Sequence, residues 1–143
     1  MSALCVTLLV VLSDQALKLL LRRRMRDHVL ALGPLGSVRM VAGRLWLRRF
    51  GGPCSGVEIW CLWSTAAVPL VLASALLPSS APFVGLLLGG SLSHAVEISL
   101  RGTISDYICL RFWPAFNLAD LALAAGAIGT IVEFLMAGRA MVF

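Results

Sequence analysis

The amino-acid sequence predicts an all-α membrane protein with four transmembrane helices and a small β-like or amphipathic surface element between spans one and two. The chain is 59% hydrophobic and only 13% charged, whereas soluble domains carry about 25% charged residues. A chain of 143 residues is too small to bury so much apolar surface in a core. The apolar residues also fall into four segments, separated by charges, prolines and glycines. Lipid is therefore the expected solvent for most of the chain.

Each apolar segment is close to the roughly 20 residues that a helix needs to cross a bilayer. Backbone groups in lipid must be satisfied internally, so helices are the expected form. The first segment lacks the basic start and small-residue cleavage site of a signal peptide, and we expect it to be retained as a span. The predicted spans are about residues 3–21, 57–77, 83–100 and 115–137, within one integral-membrane domain covering residues 1–143.

The segment between the first two spans, about residues 38–56, has a different character. It mixes apolar and basic residues, with near-alternation in RLWLRRF (44–50), and Gly51, Gly52 and Pro53 then break the pattern. Alternation favours one or two short strands at the membrane surface. An interfacial amphipathic helix is the alternative.

The chain has a net charge of +5, and eight of its twelve basic residues lie between the first two spans. A basic cluster beside apolar spans is typical of contact with lipid headgroups. No recognised nucleic-acid-binding module accompanies the charge, so we expect membrane lipids as partners and no nucleic acid. The eight arginines between spans one and two are Arg22, Arg23, Arg24, Arg26, Arg39, Arg44, Arg48 and Arg49.

The cysteines and histidines do not form a metal-binding or disulfide pattern. None of the four cysteines belongs to a C-x-x-C pair, and the two histidines, His28 and His94, are scattered. In apolar segments a cysteine usually behaves as a small hydrophobic residue. We therefore expect no metal and no cofactor.

Acidic residues inside or beside the predicted spans are the strongest functional signal. Ionisable groups at membrane depth are costly, and they usually face the interior of a helix bundle or a water-filled cavity. Glu133 is discounted, because it lies near the end of span four and can reach the interface. The acids in question are Asp14, Glu97, Asp106, Asp120 and Glu133.

Two of these acids, Asp106 and Asp120, are expected to meet at one membrane face. Asp106 follows a turn at Gly102, and Asp120 lies just inside span four, three residues after Asn117 and on the same side of the helix. Two adjacent carboxylates cannot both ionise cheaply and would share one proton. One would then activate a water as general base while the other polarises a carbonyl, which is the arrangement of aspartic proteases.

A purely structural interpretation of the same residues stays open. Asn117 could be a helix N-cap, Asp120 a first-turn acid favoured by the helix dipole, and Asp106 an ordinary loop residue. His94 within span three could be a packed histidine. Neither histidine stands in a recognisable motif with a serine or cysteine nucleophile.

Four stretches, SDQALK (13–18), GGSLSHAVE (89–97), GTISDYI (102–108) and WPAFNLAD (113–120), occur in the same order as in signal peptidase II. The chain resembles this lipoprotein signal peptidase family over nearly its whole length. The resemblance implies a four-span aspartic protease that removes signal peptides from prolipoproteins before the lipid-modified cysteine. It further implies a multi-pass protein of the bacterial inner membrane, a monomer, and substrates that carry a diacylglyceryl cysteine.

The resemblance also implies roles for individual residues. Asp106 and Asp120 correspond to the catalytic pair of the family, and Asn117 and Ala119 to its pocket neighbours. The first span carries the D-Q-x-x-K signature, in which the aspartate helps to hold the site and its substrate. The implied supporting residues are Asp14, Gln15, Lys18, His94, Glu97, Asn117 and Ala119.

The chain departs from the family pattern at two supporting motifs. After the glycine pair the family reads G-N-x-x-D-R. In this chain His94, Glu97 and Ile98 stand where the family has the asparagine, the aspartate and the arginine. In the surface segment, Phe50 replaces an asparagine. These changes motivate an alternative function, a catalytically altered paralogue that binds lipoproteins or lipopeptides without cleaving them. A small proton-coupled transporter is a third reading, but the chain lacks visible inverted repeats.

The resemblance and the charge distribution predict opposite orientations. The family pattern implies an active site at the extracytoplasmic face, and that side would carry nearly all the arginines. The positive-inside rule predicts that this side faces the cytoplasm. We favour the orientation of the family, because four collinear motifs are more specific than a charge count.

Overall fold

A computed structural model describes residues 2–25, 29–42 and 56–140. The described part contains four long helices and a three-stranded antiparallel sheet in the order β1-β2-β3. All four helices are long and apolar enough to cross a membrane, which confirms the predicted fold class. The helices are α1 (Ala3–Arg24), α2 (Gly56–Leu76), α3 (Ala81–Arg101) and α4 (Leu118–Ala140), and the strands are β1 (Leu30–Ala31), β2 (Gly36–Ala42) and β3 (Ser105–Leu110).

The ends of the helices differ from the predicted ends by a few residues, for identifiable reasons. Helix α1 continues to Arg24 instead of ending near residue 21, because arginines in a last turn interact favourably with the helix dipole. Helix α4 begins at Leu118 instead of near residue 115, because the preceding residues form a cap. Helix α3 ends at Arg101, and the positive φ of 68° at Gly102 provides a left-handed C-cap.

The surface element between spans one and two is β-structured where it is described. Strand β2 includes the first part of the predicted element, so a strand and not a helix forms there. The RLWLRRF stretch, Phe50 and the Gly-Gly-Pro break lie outside the described residues.

Strand β3 was not among the predicted elements, and its residues lie between predicted spans three and four. This strand pairs antiparallel with β2 in a register that joins Val38 to Ile108 and Val41 to Asp106, with an irregularity between the two pairs. Ser105 and Tyr107 are buried along one face of β3. The sheet therefore holds Asp106 next to the end of the helix bundle.

Helix α3 is the centre of the bundle, and it packs against α1, α2 and α4. Glycines allow close approach on its two main faces. A Cβ atom at Gly89 would lie 2.7 Å from the Val10 Cβ of α1, and one at Gly90 would lie 2.6 Å from the Ala119 carbonyl oxygen of α4. Real Cβ atoms do not come that close, so these positions require glycine or a shift of the neighbouring helix.

Replacing Gly90 by alanine is expected to destabilise the protein by about 1–3 kcal/mol, because the added methyl must displace the α4 backbone at Ala119. Gly138→Ala is the matched control, since a Cβ there meets nothing within 4 Å and alanine is the better helix former. Thermal unfolding in detergent measures both effects. A Gly90→Ala protein that is as stable as the Gly138→Ala protein would contradict the packing described for α3 and α4.

Candidate active site

The side chains of Asp106 and Asp120 meet at Asn117. The Asn117 side-chain Nδ2 donates a hydrogen bond to Asp106 Oδ1 at 2.7 Å, and the Asn117 backbone N–H donates to Asp120 Oδ2 at 2.9 Å. The two predicted carboxylates are therefore held by the same residue, one on β3 and the other in the first turn of α4. The two acids were expected to come together, and the contacts through Asn117 bring them to one place.

After β3 the chain turns back, so that Phe116 lies beside Ile108 of the strand. The backbone of Phe116 exchanges two hydrogen bonds with Ile108, at 2.9 and 3.0 Å. This bridge places Asn117 beside the strand, directly before α4. The Tyr107 hydroxyl then accepts a hydrogen bond from the Leu118 N–H at 2.8 Å. Strand and helix are thus joined at the point where the two carboxylates lie.

Asn117 and Asp120 also cap the helix. Asn117 Oδ1 accepts the Asp120 N–H at 3.0 Å, and Asp120 Oδ2 accepts the Asn117 N–H in return. Such reciprocal bonds satisfy two of the N–H groups that the start of a helix leaves without partners. The capping role considered for these residues is therefore real. The same hydrogen bonds hold the Asp120 carboxylate beside Asn117, which also bonds Asp106.

Burial raises the pKa of Asp106 above the usual aspartate range. The hydrogen bond from Asn117 opposes this rise, and the negative charge of Asp120 adds to it. Burial likewise raises the pKa of Tyr107 to about 12, so its hydroxyl stays neutral. The side chain of Asp120 is 38% exposed. Both acids are partly buried residues.

His94 of α3 completes the cluster around Asn117. Its ring nitrogen Nε2 lies 3.3 Å from Asn117 Oδ1 and 3.5 Å from Asp120 Oδ1. The side chain is 14% exposed. The structure therefore brings His94 beside Asn117 and Asp120.

Behind the carboxylates, a buried ion network links α1 to α3. The Lys18 ammonium nitrogen lies 2.7 Å from Asp14 Oδ2 and 2.7 Å from Glu97 Oε2, and all three side chains are fully buried. A single cation between two carboxylates limits the cost of burying charge. Glu97, one of the departures from the family pattern, has a structural partner in this network.

Asp14 connects three helices at once. Besides its ion pair with Lys18, it accepts a hydrogen bond from Ser93 Oγ of α3 at 2.6 Å and from the Ala119 N–H of α4 at 3.3 Å. Gln15 adds a bond from its amide to Ser93 Oγ at 2.8 Å. Asp14 thus contacts the start of α4, where Asp120 lies, while Gln15 contacts α3.

Arg22 was missed as a site residue, because it was grouped with the arginines expected at the headgroups. Its guanidinium forms an ion pair with Glu97 and donates to Ser105 Oγ at 2.7 Å, one residue before Asp106. The four-residue spacing of Asp14, Lys18 and Arg22 puts them on one helix face. That spacing is the signal that could have identified Arg22.

The remaining predicted features lie apart from this cluster. Glu133 is 13 residues after Asp120 in α4, or about 20 Å along the helix. Within residues 2–25, 29–42 and 56–140, no three His, Cys, Asp or Glu side chains are arranged to hold a metal ion. The cluster consists of carboxylates, amides, one imidazole and buried ion pairs, which are groups suited to proton transfer.

Known proteins resemble this chain in sequence. A family model described as signal peptidase (SPase) II matches residues 6–136. A lipoprotein signal peptidase of Syntrophomonas wolfei is 37% identical over 62 residues, which are 43% of this chain and 42% of that protein. One of Xylella fastidiosa strain 9a5c is 40% identical over 55 residues, 36% of this chain and 32% of that protein. The matched stretches cover less than half of these relatives.

Solved structures resemble the chain in fold. Two structures described as a bacterial membrane enzyme, obtained by the in meso method, superimpose with TM-scores of 0.77 and 0.75. The first is 19% identical in sequence, and the match covers 93% of this chain and 92% of that chain. The second is 20% identical, and the match covers 94% of this chain and 87% of that chain. The family model spans nearly the whole chain, and the four helices are of membrane-spanning length. The chain is therefore a multi-pass membrane protein and belongs to the signal peptidase II family.

Proposed function

We propose that this protein is an intramembrane aspartic endopeptidase that removes signal peptides from prolipoproteins before the lipid-modified cysteine. Asp106 and Asp120 form the catalytic pair. The observation that carries the proposal is the attachment of both carboxylates to Asn117. Membership of the family supports the substrate class, a precursor with a diacylglyceryl cysteine.

In the proposed mechanism, Asp106 holds the shared proton, which its raised pKa favours. Asp120 is ionised and takes a proton from a water, whose oxygen attacks the scissile carbonyl. Asp106 donates a hydrogen bond to the carbonyl oxygen as negative charge develops there. When the tetrahedral intermediate collapses, the carbon–nitrogen bond breaks and the proton on Asp120 passes to the leaving amine. No step requires a cofactor.

The surrounding residues orient the pair. Asn117 keeps both carboxylates in place, and the Ala119 N–H connects the start of α4 to buried Asp14. Lys18 and Glu97 extend this support through α1 and α3. The precursor would lie in the bilayer beside the helices, with its cleavage site at the end of the bundle where the sheet begins.

Cleavage of a lipid-modified precursor by the purified protein tests this function. The matched control is the same precursor in which serine replaces the cysteine, so that no lipid is attached. Cleavage of the lipidated form alone is the expected result. Binding of the lipidated precursor without any product would instead support the non-cleaving paralogue. The ion pairs of Glu97 give a structural role to one of the replaced residues that motivated that alternative.

We further propose that the site lies at the extracytoplasmic face of the bacterial inner membrane. In that orientation both chain termini are cytoplasmic, because the chain crosses the membrane four times. A reporter fused after Phe143 is therefore expected to show cytoplasmic activity. An external signal from this fusion would reverse the orientation, in agreement with the arginines at the site end of the bundle.

A further inference from the structure

Arg22 points into the helix bundle, whereas its neighbours Arg23 and Arg24 are exposed. Its guanidinium forms an ion pair with Glu97 of α3, whose side chain is fully buried, and its own side chain is 21% exposed. The same guanidinium nitrogen, Nη2, carries two hydrogens, and it also donates to Ser105 Oγ of β3 at 2.7 Å. One nitrogen of Arg22 therefore joins three elements, namely α1, α3 and β3.

Charge balance alone does not require an arginine at position 22. Lys18 already lies between Asp14 and Glu97, and any second cation would bring the network to two anions and two cations. An arginine differs from a lysine because its N–H donors lie in a rigid plane, and because Nη2 is one bond farther from the backbone than a lysine amine. These two properties suit the additional contact with Ser105.

Ser105 is the first residue of β3 and directly precedes Asp106. Residues 102–104, which connect α3 to this strand, belong to neither a helix nor a strand. The strand start is instead held by contacts of Ser105. Its backbone pairs with β2, its carbonyl oxygen accepts from Asn117 Nδ2 at 3.4 Å, and its hydroxyl accepts from Arg22. The contact with Arg22 is the one that fixes the strand start to α1 and, through Glu97, to α3.

We propose that Arg22 is a positioning residue that acts through Ser105 to hold the Asp106 carboxylate where it meets Asp120. This inference rests on the proposed function of the Asp106–Asp120 pair. Asp106 is the next residue after Ser105, so a shift of the strand start moves its carboxylate as well. A misplacement of about 1 Å can reduce the rate of an enzyme about a hundredfold. Arg22 contacts Glu97 and Ser105, and the strand transmits its effect to the site.

Ser105→Ala is the most direct test, because it removes the hydroxyl and leaves the ion pair of Arg22 with Glu97 in place. We expect kcat to fall about tenfold while KM stays within about twofold, since the chemical step depends on where Asp106 lies. Ser79→Ala is the matched control. It removes an exposed hydroxyl in the turn before α3, at the opposite end of that helix from Glu97, and it should keep the kcat of wild type. A Ser105→Ala protein with the kcat of wild type would overturn the inference.

Arg22→Lys separates positioning from charge balance. The lysine keeps the positive charge beside Glu97, so thermal unfolding should stay close to that of wild type, but its amine is too short to keep the Ser105 contact as well. We expect kcat to fall about tenfold, whereas Arg23→Lys should have no effect. Arg22→Lys with the kcat of wild type would reduce Arg22 to a counter-charge and would contradict the positioning role.

The combination of Arg22→Lys with Ser105→Ala tests whether both changes act through one contact. Because each change removes the same hydrogen bond, the kcat of the double variant should be no lower than that of the weaker single variant. Losses that multiply would show that Arg22 and Ser105 act independently, which would contradict the inference.

Hydrogen–deuterium exchange tests the contact without relying on cleavage. In Ser105→Ala and in Arg22→Lys, the amides of residues 102–110 should exchange about threefold faster or more than in wild type, because the strand start opens more often. The amides of residues 83–100 should be unchanged. Faster exchange together with no cleavage by wild type would refute the proposed peptidase, and with it the positioning role, while keeping the contact. Unchanged exchange in both variants would refute the contact itself, whatever the activity.

Discussion

Asp106→Asn and Asp120→Asn are each expected to reduce cleavage of a lipid-modified precursor by about a thousandfold or more. Each removes one partner of a general acid–base pair, and such a partner contributes about 10²–10⁴ in rate. The double variant should be no worse than either single one, because residues that act as a unit have non-additive effects. Product formation by purified proteins at equal concentration measures all three.

The loss of activity must occur in folded protein for this result to count. Asparagine at position 106 keeps an oxygen that can accept from the Asn117 amide, and asparagine at 120 keeps one for the Asn117 N–H. Thermal unfolding should therefore show little change. Glu133→Gln is the matched control, since it removes a carboxylate of α4 far from the site. Full activity in either aspartate variant would end the proposed mechanism.

Lys18→Met is expected to destabilise the protein by about 3–5 kcal/mol, the cost of breaking a buried ion pair from one side. It would leave the carboxylates of Asp14 and Glu97 fully buried without the ammonium between them. The loss is measured as a lower unfolding temperature in detergent, or as a failure to accumulate in the membrane. Because Asp14 also bonds the start of α4, activity should fall with stability.

Two variants make the Lys18 prediction specific. Arg23→Met exchanges a more exposed cation of the same helix, and it should change stability by less than about 1 kcal/mol. Asp14→Asn, Lys18→Met and Glu97→Gln combined remove all three charges, and this protein should be more stable than Lys18→Met alone. A triple variant less stable than the single one would show that the network is not held by charge balance.

The sequence predicted the helices well because lipid imposes a simple requirement on them. A span of about 20 apolar residues can be recognised without its neighbours. Strand β3 could not be recognised in this way. It is six residues long, and its partner β2 lies more than 60 residues earlier in the chain. Its burial depends on that pairing and on the bridge to Phe116, neither of which a local pattern contains.

Part of the site could be predicted, because acids in apolar segments can be recognised without their neighbours in space. Asp14, Asp106 and Asp120 were conspicuous as acids in or beside apolar segments, and their resemblance to a known motif supported their roles. Arg22 was not recognised as a site residue, because it stands with Arg23 and Arg24 at a helix end, where all three could reach headgroups. Its four-residue spacing from Lys18 and its contacts with Glu97 and Ser105 distinguish Arg22 from its neighbours.

The bond between Asp14 and the Ala119 N–H has a consequence for biosynthesis. Its two partners are 105 residues apart. The Asp14 carboxylate of the first span therefore lacks this hydrogen-bond donor until the fourth span has been synthesised and inserted. The ion pair of Asp14 with Lys18, by contrast, joins two residues one helical turn apart within the first span. A nascent chain with three spans lacks Asp120. The proposed catalytic pair can therefore form only after α4 has been synthesised.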